Sequence, residues 1–116
     1  MKAKLYHYKA RVIKVYDGDT ITVDIDLGLG IWKKNVKIRL FGINTPELRG
    51  VPEEQKVKGR AARDFLYDMI LGELVVIETV KDKEGKYGRL LGTVWLNDLN
   101  INQHLIDVGH AVEYMR

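Results

Sequence analysis

The sequence predicts a mainly β domain with helices, α+β in class, whose strands form a five-stranded Greek-key barrel. Three observations carry that prediction. Apolar and polar residues alternate in short runs, the mark of strands with one wet face. Clusters of Gly, Asp and Pro separate the runs. One longer segment instead places apolar residues at i, i+3, i+4, i+7 and i+8, the stripe of an amphipathic helix.

Ala10, Val12, Ile13 and Val15, set among Lys and Arg, mark a first strand over residues 8–16. Asp17-Gly18-Asp19 interrupts it as a turn or bulge, because glycine tolerates positive φ and aspartate accepts from nearby backbone amides. From Thr20 to Leu27 the alternation is nearly strict: Ile21, Val23, Ile25 and Leu27 on one face, Thr20, Thr22, Asp24 and Asp26 on the other. Gly28-Leu29-Gly30 breaks this second strand. The third has Val36, Ile38 and Leu40 on one face and Lys37 and Arg39 on the other, and Pro46 ends regular pairing because it lacks an N–H.

A polar loop over residues 47–52 leads to Pro52-Glu53-Glu54, which suits a helix start: proline in the first turn and acids at the positive end of the dipole. Ala62, Phe65, Leu66, Met69 and Ile70 form its apolar stripe, Lys56, Arg60 and Arg63 lie on another face, and Gly72 closes it. A fourth strand covers Leu74 to Val80, a mobile polar turn residues 81–88, and a fifth strand Leu90 to Leu96. A second helix is expected from Ile101 to Val108 with Ile101, Leu105 and Val108 inward. Asn100 is its N-cap, Gln103 completes an approximate capping box, and Gly109 is the C′ residue. Ala111 to Tyr114 is too short to assign. Three strands, a helix, two strands and a helix give the OB-type architecture, one domain over residues 1–116.

Composition narrows the chemistry. With 116 residues, 46% hydrophobic and 30% charged, the chain can bury one core without cross-links. It has no cysteine, which excludes disulfides, thiolate catalysis and cysteine-ligated metals. The net charge of +3 is compatible with a polyanionic partner. Met1 to Arg11 has no apolar run of the kind a secretion leader needs, and no stretch approaches transmembrane length. An intracellular protein, or the mature form of a secreted one, is expected, with no membrane association.

Three short motifs carry chemistry: Asp17-Gly18-Asp19-Thr20, Arg39 through the Asn44-Thr45-Pro46-Glu47 turn, and Lys86-Tyr87-Gly88-Arg89. An aspartate in a glycine turn usually caps that turn. If the second and third strands are neighbours, however, two oxygen-rich turns meet at one barrel end. Asp19, the Asn44 side-chain oxygen and the Thr45 carbonyl can then supply part of the oxygen shell that a hard cation such as Ca²⁺ wants. Glu47 is either a solvated loop residue or a general base for an activated water. Arg39 and Arg89 can grip phosphoryl oxygens with a fork that lysine lacks. Lys81, Lys83, Lys86 and Tyr87 either decorate a hairpin tip or contact a nucleotide. His7, His104 and His110 show no ligand spacing, and Trp32 and Trp95 read as packing residues. Asp24 and Asp26 read as solvating an exposed strand face.

In this order, from about Lys9 to Tyr114, the motifs resemble those of the staphylococcal nuclease (thermonuclease) family. The resemblance implies an OB-fold nuclease that uses Ca²⁺ to hydrolyse DNA and RNA with little sequence preference. It implies cleavage of the phosphorus–O5′ bond and 3′-phosphorylated products. Asp19 resembles the calcium-ligating aspartate, Thr45 the threonine offering its backbone carbonyl, and Glu47 the general base. Arg39 and Arg89 resemble the phosphate-clamping arginines, and Lys86 and Tyr87 the nucleotide contacts. Asn44 stands where the family's familiar pattern has a second calcium-ligating aspartate. It keeps an oxygen but drops a charge, so weak calcium binding is expected and another divalent metal can serve. The span from Asp19 to Arg39 is longer than in the best-known member, implying an extended hairpin around Trp32. The alternative is a nucleic-acid-binding OB module with weak or no catalysis, marked by Asn44. Retention of Arg39, Glu47 and Arg89 together favours the enzyme, expected to act as a monomer.

Overall fold

The computed structural model describes residues 6–84 and 89–114. Its strands are β1 (His7–Asp17), β2 (Thr20–Gly28), β3 (Ile31–Leu40), β4 (Ile43–Asn44), β5 (Leu74–Glu84), β6 (Leu90–Leu96), β7 (Leu99–Asn100) and β8 (Val112–Glu113). Its helices are α1 (Glu53–Ile70) and α2 (Ile101–Asp107). Five long strands run in the order β3-β2-β1-β5-β6, and β3 closes the ring by pairing in parallel with β6, Ile38 opposite Leu90 and Leu40 opposite Gly92. This is the expected OB-type barrel, with α1 between its third and fourth long strands.

Alternation builds the barrel interior. Ile21, Val23, Ile25, Val36, Ile38, Leu40, Val75, Ile77 and Val94 all point inward and are buried. Two departures have local causes. In β1, Val12 and Val15 are both buried while Ile13 is exposed, because a register shift between Val12 and Lys14 resets the inward phase. Leu27 is exposed rather than inward, since beyond Ile25 the β2–β3 hairpin projects past the barrel.

That hairpin is longer than the third-strand signal alone indicated. It reaches Gly28 opposite Ile31, with Trp32 opposite Asp26. Trp32 is exposed rather than packed, and the Lys34 ammonium lies 5.7 Å from its ring centre. Asp24 and Asp26 act on the hairpin backbone: Asp24 accepts from the Asn35 N–H at 3.0 Å and Asp26 from the Gly28 N–H at 2.8 Å.

Helix α1 buries Gly59, Ala62, Leu66 and Ile70, with Phe65 and Met69 half-buried beside them. Phe65 packs against two imidazoles, His104 at 5.8 Å and His110 at 4.7 Å between ring centres. Gly72 adopts the left-handed conformation that ends the helix, and its N–H donates to the Val12 carbonyl. Strand β5 continues to Glu84, beyond the expected end at Val80.

In α2 the Asn100 side chain caps the Gln103 N–H at 3.0 Å, as expected. Val108 is its exposed C-cap residue and not part of the core; Asn102 is buried in its place. Asn102 accepts from the Val94 N–H and donates to the Phe41 and Gly92 carbonyls. One amide thus ties α2 to β6 and to the turn after β3. The unassigned segment near the C-terminus supplies β8, which pairs with β4, Asn44 opposite Val112. Among the described residues no helix is long and apolar enough to cross a membrane.

Candidate active site

Strand pairing gathers the motif residues at one end of the barrel. Thr20 begins β2 and lies opposite Arg39 near the end of β3, while Arg39 lies opposite Leu91 of β6, two residues from Arg89. The Leu40 N–H donates to the Asp19 carbonyl at 2.8 Å, locking the Asp17-Gly18-Asp19 turn against β3.

Asp19 sits at the centre of a polar network and is only 5% exposed. Its Oδ1 accepts from the Thr20 hydroxyl at 3.3 Å, and its Oδ2 accepts from the Thr45 N–H at 3.0 Å. Arg39 Nη2 lies 3.5 Å from the same Oδ2, with the two side chains 11% and 8% exposed. Arg39 also donates to the Leu40 carbonyl at 2.9 Å and to Asn44 Oδ1 at 3.2 Å. Far from being a surface arginine, it is held by three oxygens. Arg89 Nη1 reaches the Thr20 hydroxyl at 3.4 Å, so Thr20 links the second arginine to Asp19.

Two glycines let these turns touch. A Cβ on Gly18 would meet Ala62 of α1 and the Thr45 side chain at 2.9 Å. The residue does not have a positive φ, so close approach, and not the conformational freedom expected from sequence, is what demands glycine. A Cβ on Gly59 would meet the Pro46 and Glu47 carbonyls at 2.8 Å, so the loop carrying Glu47 rests directly on bare helix backbone. Gly59→Ala is accordingly expected to push that loop away and to lower kcat by about tenfold or more, as small misplacements of reacting groups do. Because alanine favours helix, the thermal midpoint should fall much less than a core cavity would make it fall. Steady-state kinetics beside a melting curve checks both.

Glu47 and Arg89 line a single cavity of about 380 Å³, together with Lys14, Asp17, Thr20 and Lys37. Asp17 is the residue that sequence reasoning passed over. Its Oδ1 accepts from the Asp19 N–H at 3.1 Å. Burial, then the Asp19 charge, then the charge of Glu47 push its carboxyl up from 3.8 to about 7. The available signal was the doubled aspartate of Asp17-Gly18-Asp19, in which two carboxylates share one tight turn.

Because the folded pKa of Asp17 lies above the unfolded value, this group stabilises the protein fully below about pH 4. That contribution is lost as pH rises through about 7. Asp17→Asn keeps the acceptor for the Asp19 N–H and removes the charge. In chelator the variant is expected to melt several degrees above the parent at pH 8 and level with it at pH 4. Paired melting curves across that window test this, and a constant difference at both ends would contradict it.

Beside the Arg39 guanidinium, the carboxyls of Asp17, Asp19 and Glu47 offer oxygens to a cation, and the repulsion from Asp19 and Glu47 that adds to burial in raising the Asp17 carboxyl is the kind a hard cation relieves. Among the described residues no three carboxylate or imidazole groups enclose an ion by themselves. A cation would therefore need water or substrate oxygens to complete its shell. Asn44 Oδ1 is turned towards Arg39. Lys86 and Tyr87, the expected nucleotide contacts, lie outside the described residues.

Known proteins resemble this chain over most of its length. A family model described as staphylococcal nuclease homologue matches residues 37–116. The thermonuclease of Staphylococcus hyicus is 35% identical over 101 residues, 87% of this chain and 56% of its own length. The thermonuclease of Staphylococcus intermedius is 34% identical over 100 residues, 86% and 56% of the two chains. A protein of Escherichia coli named as an uncharacterized endonuclease is 34% identical over 105 residues, 90% and 60% of the two chains. The chain thus spans somewhat over half the length of each of these three relatives.

Proposed function

The chain belongs to the staphylococcal nuclease family, and we propose that it is a calcium-dependent nuclease hydrolysing DNA and RNA with little sequence preference to 3′-phosphorylated products. The observation that carries this reading is that Glu47 and Arg89 face one cavity while Thr20 connects Arg89 through Asp19 to Arg39. A base, two guanidinium groups and a carboxylate-rich wall are the parts that phosphodiester hydrolysis needs.

In this mechanism Glu47 takes a proton from the attacking water as its oxygen bonds to phosphorus. The P–O5′ bond breaks and the leaving alkoxide takes a proton from solvent water. Arg89, and the N–H groups of Arg39 not already engaged, hold the non-bridging oxygens as their charge grows in the transition state. Asp19 does not react; it fixes Arg39 and the Thr45 backbone. Asp19, Asp17 and the Thr45 carbonyl would hold a Ca²⁺, which would supply Lewis-acid polarisation of the phosphodiester. Lysines near the site attract the polyanion without reading bases. The protein acts as a monomer in this reading.

Incubating the purified chain with single-stranded and duplex DNA, in Ca²⁺ or in chelator, tests the proposal. Calcium-dependent cleavage with 3′-phosphate ends is the expected result. Tight binding without cleavage at millimolar Ca²⁺ would leave a nucleic-acid-binding module instead. Asn44→Asp restores a charge near the cation and is expected to lower the calcium concentration for half-maximal activity about tenfold. No change in that concentration would show that Asn44 serves Arg39 alone, consistent with its 3.2 Å hydrogen bond.

A further inference from the structure

A second and larger cavity, about 590 Å³, lies between β1 and α1. Lys14, Tyr16, Arg49, Arg60, Arg63 and Tyr67 line it, with Asp64 as the one carboxylate among the lining residues. Lys14 and Tyr16 also line the catalytic cavity, so the two adjoin. Arg60, Arg63 and Tyr67 fall at i, i+3 and i+7 on one face of α1, a stripe about 10 Å long. Arg60 is paired with Glu53 and Arg63 with Asp64, whereas among the described residues Lys14 and Arg49 enter no ion pair. Tyr16 and Tyr67 are 47% and 49% exposed, large rings left at the surface of a groove in which four of the lining side chains are cations.

We propose that this β1–α1 groove is an extended subsite for a single-stranded polynucleotide, carrying the strand away from the scissile phosphate. The inference rests on the nuclease reading and adds the path of the substrate. Cations spaced along a groove with interleaved rings are what a phosphate backbone with unstacked bases requires: the cations neutralise phosphates and the rings stack on bases of any sequence. A duplex keeps its bases stacked inside and cannot use the rings. The Arg60–Glu53 and Arg63–Asp64 pairs lie on an exposed helix face, where exchanging a carboxylate for a phosphate costs little.

The test is equilibrium binding of fluorescent oligothymidylates, three and twelve nucleotides long, over a range of salt concentrations. It uses the full chain carrying Glu47→Gln, so that strands are not cut. Binding should tighten markedly with length. Adding Arg49→Ala and Arg63→Ala should remove most of that length advantage, at least tenfold. It should also reduce the salt slope for the long strand by about 0.7 for each arginine removed. Unchanged length advantage and salt slope would overturn the groove assignment while leaving the nuclease reading intact. A parent chain that neither cuts nor binds any strand would overturn that reading itself. Tyr67→Ala supplies a charge-neutral check: it should weaken the single strand severalfold and duplex DNA hardly at all. Equal losses would overturn the assignment to a single strand.

Discussion

Replacing Arg39 with alanine is expected to damage stability and rate together, each by a large and separately measurable amount. The guanidinium lies against the buried Asp19 carboxylate and also bonds the Leu40 carbonyl and Asn44. Removing it strands a carboxylate in a site with almost no access to water. Breaking one side of a buried pair costs about 3–5 kcal/mol. A urea titration should show this as an earlier midpoint with an unchanged slope. If Arg39 also holds a phosphoryl oxygen in the transition state, kcat should fall by about 10²–10³ in the fraction still folded. Arg39→Lys separates the two effects. Lysine restores a positive charge near Asp19 but cannot serve several oxygens from one planar fork. It should recover much of the stability and little of the rate. A lysine variant recovering both would reduce Arg39 to a structural cation, and an alanine variant with an unchanged midpoint would show that the ion pair does not stabilise the fold.

What could be read from the sequence follows a physical division. The apolar alternation of β2 and of the end of β3, the stripe of α1 and the Asn100 cap are set by local rules, and the structure repeats them. The bulge that turns both Val12 and Val15 inward is set by the partner strand, which a linear pattern cannot contain. Leu27 alternates as though buried, yet the hairpin carries it past the end of the barrel. Gly18 and Gly59 were legible as glycines but not as contact points, because what excludes a side chain there comes from residues distant in sequence, Thr45 and Ala62 for Gly18 and the Pro46 and Glu47 carbonyls for Gly59. Asn102 reads as an ordinary polar residue of a helix until three backbone groups from separate segments close around it. At the site, residue types and spacing singled out Asp19, Glu47, Arg39 and Arg89 as candidates, and strand pairing brings them to one end of the barrel. Types and spacing did not reveal that Asp17 lines the cavity, since that depends on how the turn is wound.

Glu47→Gln carries the sharpest test of the mechanism because its two readouts should move independently. Glutamine has nearly the shape of glutamate but cannot take a proton from water at neutral pH. Loss of a positioned general base lowers rates by about 10²–10⁴. Glu47 is exposed, so the substitution leaves no buried group unsatisfied. Its negative charge is one of the causes raising the Asp17 carboxyl to about 7. Removing that charge should let Asp17 ionise somewhat more easily, so the variant in chelator should be at least as stable at pH 8 as the parent. A hundredfold or greater fall in kcat with no loss of stability is therefore the expected pair of results. It excludes unfolding as the cause of lost activity. A fall of less than about tenfold would move the base elsewhere. Asp17 is then the first candidate, because it lines the same cavity and titrates near neutrality.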